Sequence, residues 1–233
     1  MSEPVLRARE VRARLGGAEV LRGVDIDVPR GFVLGVLGPS GAGKSTLFRV
    51  LVGELAPSAG SVWLDGRDVT PEPLWRRARA GLGYVPQTPS VLLELSVADN
   101  IRTFESVARR PSRPPAERAA EVELEDRLQV RAGELSGGER RRLELLRALI
   151  AEPRVLVCDE PLTGVDPAAA GRLGKLLGGL AARGMAIVLA DHRIREALAM
   201  CDRALLLADG RIELSAEPEE FSDHPAVRRR YLG

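Results

Sequence analysis

The sequence predicts an α/β fold with a parallel sheet core, an N-terminal antiparallel β subdomain and an inserted helical subdomain. Three observations carry that reading. The first thirty residues alternate with period two, through Leu6 and Ala8, then Val11, Ala13 and Leu15, then Val24, Ile26 and Val28; such runs fit a sheet with one wet face. Continuous apolar runs follow at Phe32–Leu37, Val155–Cys158 and Ala186–Ala190, as expected of strands buried on both faces. Between the first and second of these runs, residues 88–150 read as mostly helical. The expected organisation is a single domain over 1–233, with 1–87 and 151–233 forming the core with its β subdomain and 88–150 the helical subdomain.

Each element has its own signal. Pro29 and Gly31 close the second strand, and the glycine-rich Gly38–Gly43 leads into a helix over Lys44–Leu55. Ser61–Leu64 is a short strand before the Asp65-Gly66 turn, and Leu82–Pro86 is another. Ser96 with Asp99 caps a helix running to about Arg109, and the stretch RRPSRPP breaks it. Glu117–Leu128 reads as a charged helix. Ser136 at the N-cap and Glu139 at N3 form a capping box that opens the helix RRRLELLRALI, with Leu143, Leu146, Leu149 and Ile150 as its apolar stripe. Asp166 caps and Pro167 begins the helix between the last two core strands, and Ala208-Asp-Gly-Arg211 marks a hairpin.

Composition excludes several classes. The chain is 45% hydrophobic and 29% charged, the balance of a globular protein with a core. Its 34 Lys+Arg nearly cancel its 33 Asp+Glu, and only 3% of residues are aromatic. Neither a broad nucleic-acid-binding surface nor a stacking platform for single strands is expected. No apolar run approaches the roughly 18 residues that span a bilayer, and Met1–Glu10 holds no apolar segment of signal-peptide length. Cys158 and Cys201, without a C-x-x-C motif, read as buried thiols in a reducing compartment. Among the basic residues only Lys44 and Lys175 are lysines.

One of those two lysines stands in Gly38-Pro39-Ser40-Gly41-Ala42-Gly43-Lys44-Ser45-Thr46, which satisfies G-x-x-x-x-G-K-[ST]. Glycines let such a loop turn successive N–H groups onto phosphate oxygens, and the following helix adds its positive end. Lys44 reaches the β- and γ-phosphates and the Ser45 hydroxyl can ligate Mg2+. The sheet core is therefore expected to be that of a P-loop NTPase. Asp159 ends an apolar strand where ligands of α/β sheets collect, and can hold Mg2+ through water. Glu160, next to it, suits a general base for the attacking water. Gly137 and Gly138 behind the Ser136 cap leave bare N–H groups at a second helix N-terminus. With one cradle and one such cap per chain, two copies arranged head to tail could sandwich two ATP molecules between Gly38–Thr46 of one and Ser136–Glu139 of the other.

Over nearly its whole length the chain resembles the ATP-binding subunits of ABC transporters. GPSGAGKST resembles that family's Walker A, VLVCDE its Walker B and LSGGE its signature. Gln87, in YVPQ, is similar to the family glutamine that senses Mg2+ and joins the two lobes. Asp166, in LTGVDP, resembles the D-loop aspartate, and His192, in LADHRIREAL, the switch histidine that contacts the γ-phosphate. More narrowly, LSGGERRR, GVDPAA, DHRIREALAMCDRALLLADGRI and HPAVRRRYLG resemble the lipopolysaccharide-export ATPases; the ATPases of branched-chain amino-acid importers share much of this pattern. The resemblance implies ATP hydrolysis coupled to transport, with Glu160 and His192 catalytic and Ser45, Gln87 and Asp159 serving Mg2+. It also implies a homodimer in the ATP state, integral membrane subunits as partners, no nucleic acid, and a peripheral place on the cytoplasmic face of the inner membrane. Val91, Leu92, Leu93 and Leu95 are candidates for the docking groove.

Two departures stand out. Leu15, before Gly16-Gly17, occupies the position where the family usually stacks an aromatic ring on adenine, so weaker adenine selectivity is expected. Similar exporters typically run a few residues beyond the position of Gly233, which puts any contact made by such a tail in doubt. Three rivals remain open on sequence grounds: a non-transport ABC ATPase, which usually carries long coiled-coil insertions or two cassettes; a P-loop kinase, for which LSGGE would have no purpose; and a regulatory module without turnover, against which Glu160 argues.

Overall fold

The computed structural model describes residues 3–231; Met1, Ser2, Leu232 and Gly233, and the expectations that fall on them, lie outside. β1 (Leu6–Leu15) and β2 (Ala18–Val28) form an antiparallel hairpin. The shift of phase from Ala8 to Val11 is a β-bulge, where Glu10 takes φ 47° and donates its N–H to Asp25 Oδ1 at 2.8 Å. The extra residue keeps Leu6, Ala8, Val11 and Ala13 all facing inward. β3 (Val33–Leu37) is buried throughout and leads through Gly38–Gly43 into α1 (Lys44–Val52). That helix ends before the expected Leu55, because Gly53 turns left-handed at φ 83° and its N–H bonds back to Arg49 and Val50.

β4 (Ala59–Leu64) and the short β5 (Arg67–Asp68) complete a four-stranded antiparallel sheet in the order β2-β1-β4-β5. α2 (Leu74–Arg79) and β6 (Leu82–Val85) follow. The helical segment holds α3 (Val97–Ala108), α4 (Pro115–Ala120) and α5 (Gly137–Leu149). The charged helix expected over Glu117–Leu128 is a correction: Pro115 starts it earlier, and it stops at Ala120. Glu123 at φ 58° then reverses the chain, and Leu124 N–H bonds back to Ala119 O at 2.9 Å. This reversal lets Val122 and Leu124 bury side by side.

β7 (Val155–Asp159), α6 (Pro167–Ala182), β8 (Ala186–Ala190), α7 (Ile194–Leu198), β9 (Arg203–Ala208), β10 (Arg211–Ala216), α8 (Pro218–Asp223) and α9 (Pro225–Tyr231) close the chain. The second sheet runs β10-β9-β3-β8-β7-β6, parallel except for β10. Its strands alternate between two cores. Leu156, Cys158, Ile187 and Leu189 pack with the helical segment and α6, whereas Val155, Val157, Val188 and Ala190 pack with α1 and the antiparallel sheet. A sheet covered on both faces needs apolar residues at every position, which explains the unbroken runs. No helix among the described residues is long and apolar enough to cross a membrane.

Candidate functional site

Parallel strands in register deliver their following loops to one edge. Gly35 pairs with Leu189, Cys158 with Val85 and Asp159 with Ala190. Gly38 and His192 therefore lie three residues beyond one paired rung, and Gln87 and Glu160 two residues beyond another. Four of the sequence-predicted segments meet at the carboxyl edge of the sheet, as doubly wound folds place their ligands.

In the glycine loop, Gly41 at φ 80° and Gly43 at φ 106° adopt backbone that side chains resist. A Cβ on Gly38 would fall 2.1 Å from the carbonyl oxygen of Leu207, so only glycine fits there. Gly43 is the N-cap of α1 and supplies no side-chain bond, so the helix presents its first N–H groups as donors. Lys44 Nζ donates to the carbonyls of Gly38 at 2.6 Å and Pro39 at 3.0 Å. Burial lowers its pKa, against the opposing pull of Glu160, Asp159 and Asp191. Ser45 is exposed beside it and Thr46 is buried.

Glu160 holds a left-handed φ of 49°, strain that a non-glycine residue keeps only where its surroundings enforce it. The enforcement is visible. Its N–H continues the strand ladder to Ala190 O at 2.8 Å, and its Oε2 accepts from Gln87 Nε2 at 2.9 Å and Thr163 Oγ1 at 3.0 Å. His192 Nδ1 lies 3.5 Å from the same oxygen. Gln87, expected at a cation, is here bonded to Glu160. Asp159 is buried, and its Oδ1 has no hydrogen-bond partner. Burial, joined by repulsion from Glu160, pushes its carboxyl up to about 6. A buried carboxylate oxygen that lacks a partner fits a Mg2+ ion. Among the described residues no cluster of three acidic, cysteine or histidine side chains could hold a metal alone; Mg2+ bound by one carboxylate together with phosphate and water oxygens needs none.

The signature lies apart from this edge, on the helical segment. Ser136 Oγ accepts from Glu139 N–H at 3.3 Å, and Glu139 Oε2 accepts from Ser136 N–H at 2.9 Å, completing the capping box. Hydrogen bonds from Ser136 and Arg127 hold the Glu139 carboxyl down at about 2. A Cβ on Gly137 would stand 2.1 Å from Gly164 O, and one on Gly138 would stand 2.6 Å from Ala169 Cβ. Both glycines are therefore required by close packing on the segment that carries Asp166, whose carboxylate caps α6 by accepting from Ala169 N–H at 2.9 Å. Among the described residues no hydrogen bond or ion pair joins Ser136–Glu139 to Gly38–Thr46.

Three contributors were not anticipated. Arg141, only 5% exposed, donates to the carbonyls of Pro86, Asp159, Glu160 and Pro161 and pairs with Glu144. It fastens α5 to the segments bearing Gln87 and Glu160. Its signal was faint: Arg141, Glu144 and Ala148 share a face of a helix whose neighbours are leucines. Thr163, three residues after Glu160, and Asp191, before His192, complete the set. Asp191 is fully buried and accepts from Leu162 N–H at 2.8 Å. Elsewhere, Leu15 stands 38% exposed at the hairpin tip. Cys158 is buried and Cys201 half-buried, and burial pushes both thiols up to about 12. Val91 is a core residue and Leu95 is half-buried, leaving Leu92 and Leu93 outward at 42% and 40% exposure. Buried Asn100 holds Leu92 so, bonding both its N–H and its carbonyl.

Residues 21–163 match the family model for the ABC transporter. The chain is 40% identical over 240 residues to the lipopolysaccharide export system ATP-binding protein LptB of Acidithiobacillus ferridurans, covering 100% of this chain and 98% of that one. It is 37% identical to the LptB of Escherichia coli (strain K12), covering 98% of this chain and 97% of that one. Among solved structures, the ADP conformation of MJ1267, an ATP-binding cassette of an ABC transporter, superposes with a TM-score of 0.91 at 27% identity, each chain covered in full.

Proposed function

This chain belongs to the ABC transporter family as one of its ATP-hydrolysing subunits, and from that premise we propose that paired copies drive lipopolysaccharide export through integral membrane partners. The observation that carries the cargo is the 40% identity along the entire chain to a protein of that named role. The position is peripheral, on the cytoplasmic face of the inner membrane.

In this reading the N–H groups of Gly38–Thr46 hold the phosphates of ATP. Lys44 exchanges its two carbonyl acceptors for phosphate oxygens, where its charge offsets that of the departing phosphate. Glu160 takes a proton from the attacking water, its carboxylate aimed by Gln87 and Thr163. His192, whose ring is largely exposed beside Glu160, donates toward the γ-phosphate. Ser45, Asp159 and Gln87 are the residues that would hold Mg2+, which neutralises phosphate charge when bound. Ser136–Glu139 of the twin closes over the same triphosphate. Residues 1–87 and 151–233 act as one lobe and 88–150 as the other, with Arg141 and Gln87 at their junction. Leu92 and Leu93, together with a groove of about 480 Å³ lined by Trp75, Phe104 and Val107, form the face for the membrane subunits.

The test has two arms. Glu160→Gln retains ATP binding, loses turnover and runs as a dimer in ATP by size-exclusion chromatography; a monomer in ATP overturns the paired mechanism. Wild-type chain is also reconstituted with the integral membrane proteins it captures from its own membranes. ATP-dependent extraction of lipopolysaccharide from vesicles is expected, and turnover indifferent to lipopolysaccharide overturns the cargo.

A further inference from the structure

The loop between Glu160 and Asp166 touches both ends of the catalytic scheme. At one end, Asp191 Oδ2 accepts from Leu162 N–H at 2.8 Å and Asp191 Oδ1 from Arg193 N–H at 3.0 Å. Both bonds flank His192. At the other end, the Gly164 carbonyl lies against the Cα of Gly137, and Val165 Cγ1 would lie 3.5 Å from a Cβ on Gly138. A single packed path thus runs from the histidine facing the chain's own triphosphate to the cap that closes over its twin's.

Arg193 is the tightest tie in that path. Its Nη1 donates to Val165 O at 2.8 Å, across 28 positions of sequence. Its Nε and Nη2 both donate to Glu196 Oε1, at 3.0 and 2.6 Å. The guanidinium is mostly buried while Glu196 is more exposed, so the ion pair itself adds little energy. Its use is orientation: two donors held on Glu196 fix the side chain's rotamer, and that rotamer carries the third, Nη1, to Val165. A carbonyl just ahead of the Asp166 cap is held by the residue just after His192.

We infer that Arg193 is a positioning residue that couples the two ATP sites, passing movement of His192 at one nucleotide, through Val165 and Gly164, to the Gly137–Gly138 cap that seals the other. The inference rests on the head-to-tail pairing proposed above. Arg193 bonds to Val165 and Glu196 rather than to Gly38–Thr46 or Ser136–Glu139, so its removal alters concert between sites rather than affinity at either.

The experiment measures ATP turnover against ATP concentration for wild type, Arg193→Ala, Arg193→Lys and the exposed neighbour Arg195→Ala, with ATP binding and melting temperature measured on each. Arg193→Ala is expected to lower kcat about tenfold and bring the Hill coefficient to about 1, with ATP affinity changed less than about twofold. Arg193→Lys, which keeps a single donor nitrogen, restores part of both, and Arg195→Ala matches wild type. Unchanged kcat and Hill coefficient in Arg193→Ala overturn the coupling role, as does a fall in kcat fully matched by a fall in ATP affinity. Each Arg193 variant is also combined with Glu160→Gln. If Glu160→Gln alone fails to dimerise in ATP, the pairing fails and the coupling with it. If it dimerises while Arg193→Ala leaves cooperativity intact, only the coupling fails.

Discussion

Both segments proposed to meet triphosphate are helix N-termini, and they are finished in opposite ways. At α1 the N-cap is Gly43, which offers no side chain, and the adjacent cation, Lys44, bonds to carbonyls of its own loop. At α5 a capping box occupies the first turn: Ser136 and Glu139 bond each other and Arg127 braces the carboxylate. The cradle has donors to spare, so its local structure already asks for an anion. The Ser136–Glu139 box satisfies its own side chains, and the function of this cap shows in what its glycines pack against. A well-formed local motif can therefore conceal a role that depends on a second molecule.

The sharpest way to break this contrast is to remove one side chain from each. Lys44→Ala is expected to cut ATP turnover by about 10²–10³-fold, the scale for a lost donor to a developing anion, while melting temperature moves by less than about 2 °C. Ser136→Ala should cost about 1 kcal/mol as a lost cap, lowering the melting temperature by about 2–4 °C for a chain of this size, and should also cut turnover about tenfold. Turnover assays and thermal melts on both variants decide the matter. Unchanged turnover in Ser136→Ala would reduce the signature to a helix cap.

A smaller effect sharpens the same contrast through pH. Asp159 is raised to about 6 by burial and Glu139 lowered to about 2 by hydrogen bonds. A raised carboxyl favours the folded state below the unfolded pKa and loses that advantage as pH climbs through about 6. Asp159→Asn should therefore raise the melting temperature of the metal-free chain at pH 8, by about 5 °C if about 2 kcal/mol is relieved. The gain should vanish below about pH 4. A lowered carboxyl behaves oppositely, its contribution present above the unfolded value and lost as pH falls through about 2. Glu139→Gln should lower the melting temperature at pH 7 by about 3 °C, given about 1 kcal/mol at a partly exposed site, with the difference gone near pH 2. Melts of each variant against wild type from pH 2 to 8 test both signs.

The legible parts of this molecule are those whose partners leave a mark on the sequence. The run Phe32–Leu37 followed by Gly38–Thr46 announces strand, loop and helix because burial on two faces demands unbroken apolarity and the loop demands glycine. The alternation slips between Ala8 and Val11, where the bulge at Glu10 lies, yet the run reads as one strand straight through it. Three things stayed dark, and for one reason. α2 carries Arg77, a buried guanidinium that donates to the carbonyls of Val50, Leu51, Thr70 and Glu72, and burial lowers its pKa to about 10. Arg141 and Arg193 likewise bond to distant backbone carbonyls. Every residue owns a carbonyl, so such a partner has no composition or spacing to betray it. The overextended Glu117–Leu128 helix failed differently: its charges suit a helix, but the left-handed turn at Glu123 is set by the burial of Val122 and Leu124 on a core the segment does not itself contain.

The smallest expected effect concerns the base rather than the phosphates. Leu15 ends β1 at the hairpin tip, 38% exposed, with Gly16 and Gly17 beside it at positive φ. Its position in the chain is where adenine stacking is expected, yet an aliphatic side chain gives only apolar cover and no ring-to-ring contact. Replacing cover by stacking is worth about 1–3 kcal/mol where bases stack on aromatic rings, and the low end applies at an exposed turn. Leu15→Tyr should accordingly tighten ATP binding about threefold to tenfold and widen the preference for ATP over GTP. The phosphate contacts are shared by both nucleotides, so kcat should hold. Equilibrium binding of ATP and GTP to both chains measures it. An unchanged ratio would mean that the hairpin tip does not cover the base, and that the cradle alone sets nucleotide affinity.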